Sequence, residues 1–157
     1  TDTSGGYLST SLQAAGHTLI ERRILPDDKS LLVQTFKDWG KQSNVDVILC
    51  TGGTGITARD ITPEAVSEVI EKSLPGFGEL FRWLSYQTIG TSTVQSRACA
   101  GVFSGTLIFA LPGSTGACKD AWKGILLQQL DITHKPCNFA MLIHRLDGAK
   151  RHVPITE

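Results

Sequence analysis

The sequence predicts a doubly wound α/β fold, in which helices cover both faces of a mostly parallel sheet. Helical and strand-like patterns alternate along the chain, which is the pattern of such folds. Residues 45–50 (VDVILC) are almost all apolar, as in a strand that is buried on both faces. Two glycine-containing loops follow predicted strands. Because ligands bind at the carboxyl ends of strands in these folds, we expect both loops on one rim of the sheet.

The first predicted helix has Ser4 as its N-cap and ends at Gly16. Residues 17–25 (HTLIERRIL) alternate roughly between apolar and polar side chains, which predicts a half-buried strand. A turn at residues 26–28 (PDD) leads to a second helix that ends at Gly40. A doubly wound fold usually opens with a central strand. Either that strand is missing from this sequence or the sheet is built without it, and we favour the first.

The second half of the chain continues the alternation. A helix is predicted to be capped by Thr62, with Pro63 at its first position and a break at Pro75–Gly76, and a second helix follows over residues 77–86 and up to Gly90. Two strands, 98–103 and 106–111, form a predicted hairpin around Ser104–Gly105. After the loop Pro112–Ser114, a last helix is predicted from about Thr115 to Leu130.

Composition and charge exclude several classes of function. The chain has 157 residues with 15 basic and 15 acidic side chains, so its net charge is zero. It is long enough for one domain, and no basic stripe indicates nucleic-acid binding. No apolar run approaches the roughly 20 residues that span a bilayer. We therefore expect one domain over residues 1–145, a C-terminal tail over residues 146–157, and no nucleic-acid or membrane partner.

The cysteines, histidines and serines form no recognisable metal or nucleophile site. The four cysteines include no C-x-x-C pair, and the four histidines have no metal-ligand spacing. This favours reduced thiols in a cytoplasmic protein over a disulfide framework or a zinc site. The absence of a G-x-S-x-G motif counts against a serine hydrolase.

Residues 51–64 (TGGTGITARDITPE) are the most informative segment. A glycine-rich turn, an acidic side chain and a helix start follow a buried strand, which predicts exposed N–H groups at Gly52–Gly55 around a phosphate and its metal ion. The simpler interpretation is a tight turn with positive φ at one or more of its glycines. Three glycines and two threonines exceed what a turn needs, which favours a ligand. The dinucleotide fingerprint matches weakly, and the P-loop pattern is absent.

Two acidic positions are candidates to complete this site. Asp60 is either an Mg²⁺ ligand or a cap of the following helix, and Mg²⁺ prefers one or two carboxylates together with substrate phosphates. Asp27 and Asp28 belong either to the same rim or to a solvated turn. If strand 17–25 pairs beside the buried strand, the carboxylates of Asp27 and Asp60 converge across one pocket. Ser96–Arg97 is either a phosphate contact or an ordinary junction between a helix and a strand.

In these motifs the chain resembles the MoaB/MogA family of molybdenum-cofactor biosynthesis proteins, and the MoaB branch in particular. The matching segments cover most of the chain in order and are DTSG (2–5), LPDD (25–28), TGGTGITARDITPEA (51–65), PGFGE (75–79), IGTSTVQSR (89–97), TLIFALPGST (106–115) and KPCNF (135–139). The long glycine motif is the most specific of them. The opening strand of the family is not in this sequence.

The resemblance implies a fold, an activity and a set of ligands. The fold is a three-layer α/β/α sandwich, mostly parallel with an antiparallel edge hairpin, which assembles as a homotrimer or hexamer. The activity converts ATP with Mg²⁺ and molybdopterin, a pterin dithiolene with a terminal phosphate, into adenylyl-molybdopterin and pyrophosphate. A molybdate-inserting enzyme then uses the product. The preference between ATP and GTP stays open.

The resemblance also assigns roles to residues. Two family aspartates fall on Asp27 and Asp60, which are expected to be catalytic and to hold Mg²⁺. The expected ligand-binding residues, in two loop sets, are Thr51, Gly52, Gly53, Thr54 and Gly55, and Ser96, Pro112, Gly113, Ser114 and Thr115. One alternative is a non-catalytic protein of the same pathway that binds molybdopterin or a nucleotide. The other is an unrelated function with a phosphate ligand.

Overall fold

The computed structural model describes residues 1–148 of the chain. Its helices are α1 (Thr3–Ala14), α2 (Lys29–Gly40), α3 (Thr62–Val69), α4 (Pro75–Ile89), α5 (Thr115–Ala121) and α6 (Leu127–Gln129). Its strands are β1 (Val47–Thr51), β2 (Lys72–Ser73), β3 (Cys99–Phe103) and β4 (Thr106–Leu111). A π-helical segment, Trp122–Leu126, joins α5 to α6, and short 3-10 helices span Gly90–Gln95 and Ile143–Arg145.

Within residues 1–148 the strands form one open sheet in the order β1-β4-β3-β2. β1 and β4 are parallel, with Val47 opposite Leu107, whereas β3 is antiparallel to both β4 and β2. The predicted α/β sandwich is confirmed. Among residues 1–148 its sheet is mixed and not mostly parallel, with one parallel and two antiparallel strand pairs. The β3–β4 hairpin is not at an edge as expected. It occupies the two inner positions, because β1 pairs with β4 and the short β2 pairs with β3.

Alternating side chains of β4 divide the hydrophobic core into two layers. Leu107, Phe109 and Leu111 pack against α1, α4 and α5, whereas Ile108 and Ala110 pack against α2 and α3. All five side chains are 2% exposed or less, which is the period-two pattern of a strand covered on both faces. β4 is therefore the most buried element, and it carries the loop that follows it on a rigid base.

The segment 17–25 is not a strand, contrary to the sequence prediction. It forms no hydrogen-bond ladder with any described residue in the range 1–148. Both this segment and β1 line a groove of about 1470 Å³. Alternation of apolar and polar residues occurs in any extended segment with one covered side, whereas a strand also needs a neighbouring edge within hydrogen-bonding distance.

Two predicted helix caps are wrong by one or two positions. Asp2 caps α1 by accepting the N–H of Gly5 at 2.8 Å, and Ser4 is buried within the first turn. Ile61 precedes α3, and Thr62 is its first helical residue. Both hydroxyl side chains instead donate to loop carbonyls, as described below. A local sequence pattern does not distinguish such a tertiary contact from a cap.

The remaining predicted elements are confirmed within a few residues. α2 ends at Gly40, α4 ends one residue before Gly90, and α5 continues through the π-helical segment to Gln129. The sequence does not predict β2, because two residues carry no periodic pattern. The domain boundary at residue 145 stays a prediction, and the predicted tail lies mostly outside the described residues. None of the helices within residues 1–148 has the length and apolar character needed to span a bilayer.

Candidate functional site

Two loops meet where the parallel strands β1 and β4 end. We call residues 51–60 the glycine loop and residues 112–115 the second loop. The hydroxyl of Thr51 donates to the carbonyl of Pro112 at 2.8 Å. The structure thus brings the two predicted loops onto one rim of the sheet, because parallel neighbours end on the same side.

The backbone of Gly52 is held tightly at this junction. Its N–H donates to the carbonyl of Leu111 at 2.9 Å, and its carbonyl accepts the hydroxyl of Thr62 at 2.8 Å. The prediction of an exposed N–H at Gly52 is therefore wrong. Gly52 and Gly53 have φ of +100° and +69°, so the turn itself requires glycine. Within residues 1–148 no backbone carbonyl accepts the N–H groups of Gly53 and Thr54, and these two remain as candidate donors to a ligand.

The first turn of α1 forms the third side of the rim. The hydroxyl of Ser4 donates to the carbonyl of Gly113 at 2.6 Å. The hydroxyl oxygens of Thr3 and Thr115 lie 3.0 Å apart, and Ser114 caps α5. The N-termini of α1 and α5 therefore lie side by side, which favours an anion nearby. Sequence reasoning missed Thr3 and Ser4 as site residues, although both lie in the DTSG segment.

Asp60 closes the glycine loop and does not cap α3. Its Oδ2 accepts the hydroxyl of Thr57 at 2.7 Å and the N–H of Thr57 at 2.9 Å. The hydrogen bond from the Thr57 hydroxyl, followed by that from its N–H, holds the pKa of the Asp60 carboxyl below its ordinary value of 3.8. The side chain is thus anionic at neutral pH. A Cβ at Gly55 would lie 2.7 Å from the same oxygen, so a larger residue there would displace the carboxylate from this position.

Asp27 reaches the glycine loop through an ion pair with Arg59. Its Oδ2 accepts Nε of Arg59 at 3.2 Å and Nη2 at 2.9 Å. Asp27 lines the large groove together with Gly52, whereas Asp60 lines a separate hollow of about 410 Å³. The expected convergence of the two carboxylates across one pocket depends on strand 17–25, and that strand does not form.

The Ser96–Arg97 junction is fastened to the glycine loop. The N–H of Arg97 donates to the carbonyl of Thr54 at 2.9 Å. The hydroxyl of Ser96 accepts the N–H of Ala98 at 3.3 Å. The guanidinium of Arg97 contacts Glu64 and two carbonyls of the glycine loop. Sequence reasoning left Arg97 undecided and gave Glu64 no role.

The site offers carboxylates and hydrogen-bond donors that could bind an anion, but the thiols of Cys50, Cys99 and Cys118 are not reactive. Within residues 1–148 no three His, Cys, Asp or Glu side chains lie close enough to hold a metal ion by themselves. Mg²⁺ at Asp60 or Asp27 would therefore take its other ligands from phosphate or water. Desolvation raises the pKa of the Cys50 thiol to about 12 and also raises the pKa of Cys99 and of Cys118. These thiols stay protonated at neutral pH and are poor nucleophiles.

Comparisons with known proteins agree with this arrangement. The sequence profile of a family described as "Probable molybdopterin binding domain" matches residues 1–132. "Molybdenum cofactor biosynthesis protein B" of Escherichia coli (strain K12) is 49% identical over 138 residues, which is 88% of this chain and 81% of that protein. "Probable molybdopterin adenylyltransferase" of Methanocaldococcus jannaschii is 44% identical over 122 residues, 78% of this chain and 72% of that protein. A crystal structure of molybdenum cofactor biosynthesis protein B has a TM-score of 0.85 and 40% identity, and covers 93% of this chain and 88% of that one.

Proposed function

Because the chain belongs to the family described as probable molybdopterin binding domain, we propose that it is a molybdopterin adenylyltransferase of molybdenum cofactor biosynthesis. The terminal phosphate of molybdopterin attacks the α-phosphorus of ATP. A new P–O bond forms, the bond to the β-phosphate oxygen breaks, and pyrophosphate leaves. A molybdate-inserting enzyme then takes adenylyl-molybdopterin. The supporting observation is the rim itself, where hydrogen bonds from Thr51 to Pro112 and from Ser4 to Gly113 join the glycine loop, the second loop and the start of α1. The anionic Asp60 carboxylate lies on the same glycine loop.

In this reaction the protein positions two phosphates and neutralises the charge that develops between them. The N–H groups of Gly53 and Thr54 and the start of α5 bind phosphate oxygens. Mg²⁺, held by Asp60 and Asp27, would neutralise charge on the triphosphate. Each carboxylate would exchange a present partner, Thr57 or Arg59, for the ion. No side-chain nucleophile is required, because the phosphate of the pterin attacks.

Substitution of the two aspartates tests this function. We expect Asp27→Asn and Asp60→Asn to abolish pyrophosphate release from Mg-ATP and molybdopterin, with molybdopterin affinity nearly intact. Asp38→Asn, in an exposed part of α2, is the control and is expected to keep full activity. The same assay with GTP in place of ATP establishes the nucleotide preference. Full activity in Asp60→Asn would overturn the assigned role of that carboxylate.

One observation favours a second candidate function, a protein that binds molybdopterin or a nucleotide without turnover. Asp27 and Asp60 line different cavities, and each is already engaged by a protein donor. If wild-type protein releases no pyrophosphate but binds molybdopterin by calorimetry, this second function replaces the first. Competition of the pterin against other phosphorylated ligands then tests for an unrelated phosphate ligand.

We also propose that the chain assembles as a homotrimer or hexamer through α4. Four large apolar side chains of α4 are exposed, Leu80 at 43%, Trp83 at 61%, Tyr86 at 57% and Ile89 at 53%. Such clusters mark interaction surfaces. Trp83→Glu is expected to yield monomers in sedimentation experiments without loss of the fold. Ile132→Glu, at a side chain that is 66% exposed outside α4, is expected to leave the oligomer intact. A wild-type monomer at micromolar concentration would contradict the proposal.

A further inference from the structure

Arg97 spans the two ends of the turn that carries Asp60. Its Nε donates to the carbonyl of Gly55 at 2.7 Å, and its Nη2 donates to the carbonyl of Asp60 at 3.0 Å. Its main-chain N–H donates to the carbonyl of Thr54. One residue, two positions before β3, therefore fixes the glycine loop at three carbonyls.

The guanidinium of Arg97 is also fixed from its other side. Nη1 donates to Oε1 of Glu64, and Nη2 lies 3.3 Å from Oε2. Glu64 belongs to the first turn of α3, which follows the glycine loop directly. Its hydrogen bond to Arg97 lowers the pKa of Glu64 and raises that of Arg97, so both groups are charged at neutral pH. The side chain of Arg97 thus joins the segment before β3 to the glycine loop and α3.

This bonding argues against a direct phosphate contact. A guanidinium has five N–H donors, and its four bonds here all end on acceptors of the chain itself. The ion pair with Glu64 is partly exposed, at 36% for Arg97 and 45% for Glu64, and exposed ion pairs contribute little to stability. The ion pair therefore adds little to stability, whereas the two carbonyl contacts of Arg97 fix the ends of the turn.

We propose that Arg97 is a positioning residue, which sets the Asp60 carboxylate and the free N–H groups of Gly53 and Thr54 without touching the substrate. The turn that Arg97 closes is the one in which Thr57 binds the Asp60 carboxylate. The rigid fork of arginine reaches both carbonyls and Glu64 at once, whereas lysine is a single point of charge. The consequence for catalysis rests on the proposed adenylyltransferase function, but the effect on the loop does not.

Arg97→Lys tests the proposal, because it keeps the charge and loses the fork. We expect amide hydrogen exchange at Thr57 to become faster by about 3- to 10-fold, since the carboxylate that accepts this N–H is no longer fixed. In the pyrophosphate-release assay we expect kcat to fall about 10- to 100-fold, while KM for molybdopterin stays within about threefold. Lys123→Arg, at an exposed side chain of the π-helical segment, is the control and is expected to change neither quantity.

Three outcomes would overturn the proposal. Glu64→Gln keeps both carbonyl contacts of Arg97 and is expected to leave exchange at Thr57 unchanged. If it loosens Thr57 in the folded protein, the ion pair and not the fork holds the loop, and the proposal is overturned. Unchanged exchange at Thr57 in Arg97→Lys, or faster exchange with unchanged kcat, also overturns it. If the wild-type protein shows no turnover, only the adenylyltransferase function is refuted. The hydrogen-exchange experiment still tests whether Arg97 holds the glycine loop in place.

Discussion

Arg59 donates two hydrogen bonds to one carboxylate oxygen of Asp27, at 3.2 and 2.9 Å. Asp27 directly precedes Asp28, the N-cap of α2, and Arg59 directly precedes Asp60. The contact therefore joins the start of α2 to the glycine loop. A guanidinium thus neutralises one of the two carboxylates of the proposed Mg²⁺ site. Because the Arg59 side chain is 85% exposed, a divalent cation can replace it as the partner of Asp27 at little cost.

Removal of this competing cation is expected to favour the metal. An exposed ion pair contributes about 0.2–1 kcal/mol, so Arg59→Gln should lower the Mg²⁺ concentration for half-maximal pyrophosphate release by up to about fivefold. The thermal midpoint should change little. Titration of activity with Mg²⁺ measures the shift. Lys123→Gln, which removes an exposed positive charge of the π-helical segment, is the control. A higher Mg²⁺ requirement in Arg59→Gln would show that Arg59 helps to hold the metal site together.

The hydroxyl of Ser4 is expected to stabilise the junction of α1 with the second loop. Ser4 is 5% exposed and donates to the carbonyl of Gly113, so Ser4→Ala leaves a poorly solvated acceptor and should cost about 1–2 kcal/mol. Ser9→Ala on the same helix removes only a local bond to Gly5 and should be nearly neutral. Urea denaturation of both variants measures the difference. Equal effects would mean that the tertiary contact of Ser4 contributes nothing.

Three glycine-to-alanine variants separate backbone strain from steric overlap. At Gly116, in α5, an added Cβ meets nothing within 4 Å, so alanine should stabilise the protein slightly. At Gly52 it also meets nothing, but φ is +100° and strain should cost about 1–2 kcal/mol. At Gly53 φ is +69° and the Cβ would lie 2.4 Å from the hydroxyl oxygen of Thr62, so the cost should be the largest. Chemical denaturation should give this order of stability, and a neutral Gly53→Ala would contradict it.

The lowered pKa of Asp60 predicts how stability responds to acid. The folded pKa lies below the unfolded value of 3.8, so the contribution is fully present above about pH 5 and is lost as pH falls through the folded pKa. Asp60→Asn lacks this titration. The difference in unfolding free energy between wild type and Asp60→Asn should therefore shrink between about pH 5 and pH 2. A constant difference across this range would show that the Thr57 contacts do not depend on the charge.

The sequence predicts those parts of the fold and site that depend on local pattern and chain direction. An apolar segment followed by glycines predicts β1 and its loop, and the β3–β4 hairpin follows from two strands around Ser104–Gly105. Because parallel strands end on one side, the placement of the glycine loop and the second loop on one rim also follows. These inferences need no knowledge of which strands are neighbours.

The features that sequence reasoning missed depend on tertiary contacts. The pattern of residues 17–25 cannot show that no edge of the sheet lies close enough to pair with, and the expected shared pocket of Asp27 and Asp60 depended on that pairing. A hydroxyl such as that of Ser4 has the same local pattern whether it caps a helix or contacts a distant carbonyl. Arg97 was undecided for the same reason, because its acceptors lie 33 to 42 positions away in the chain.

The hydrogen bond from Gly52 to Leu111 adds one rung beyond the end of the β1–β4 ladder. The glycine loop is thereby coupled to the strand that is least accessible to solvent. Local fluctuations that open peripheral loops of other proteins would here have to break pairing at the centre of the molecule. Solvent exchange at the Gly52 amide should therefore be much slower than at Thr57 in the exposed part of the same loop, so that the base of the rim stays closed while its outer part moves.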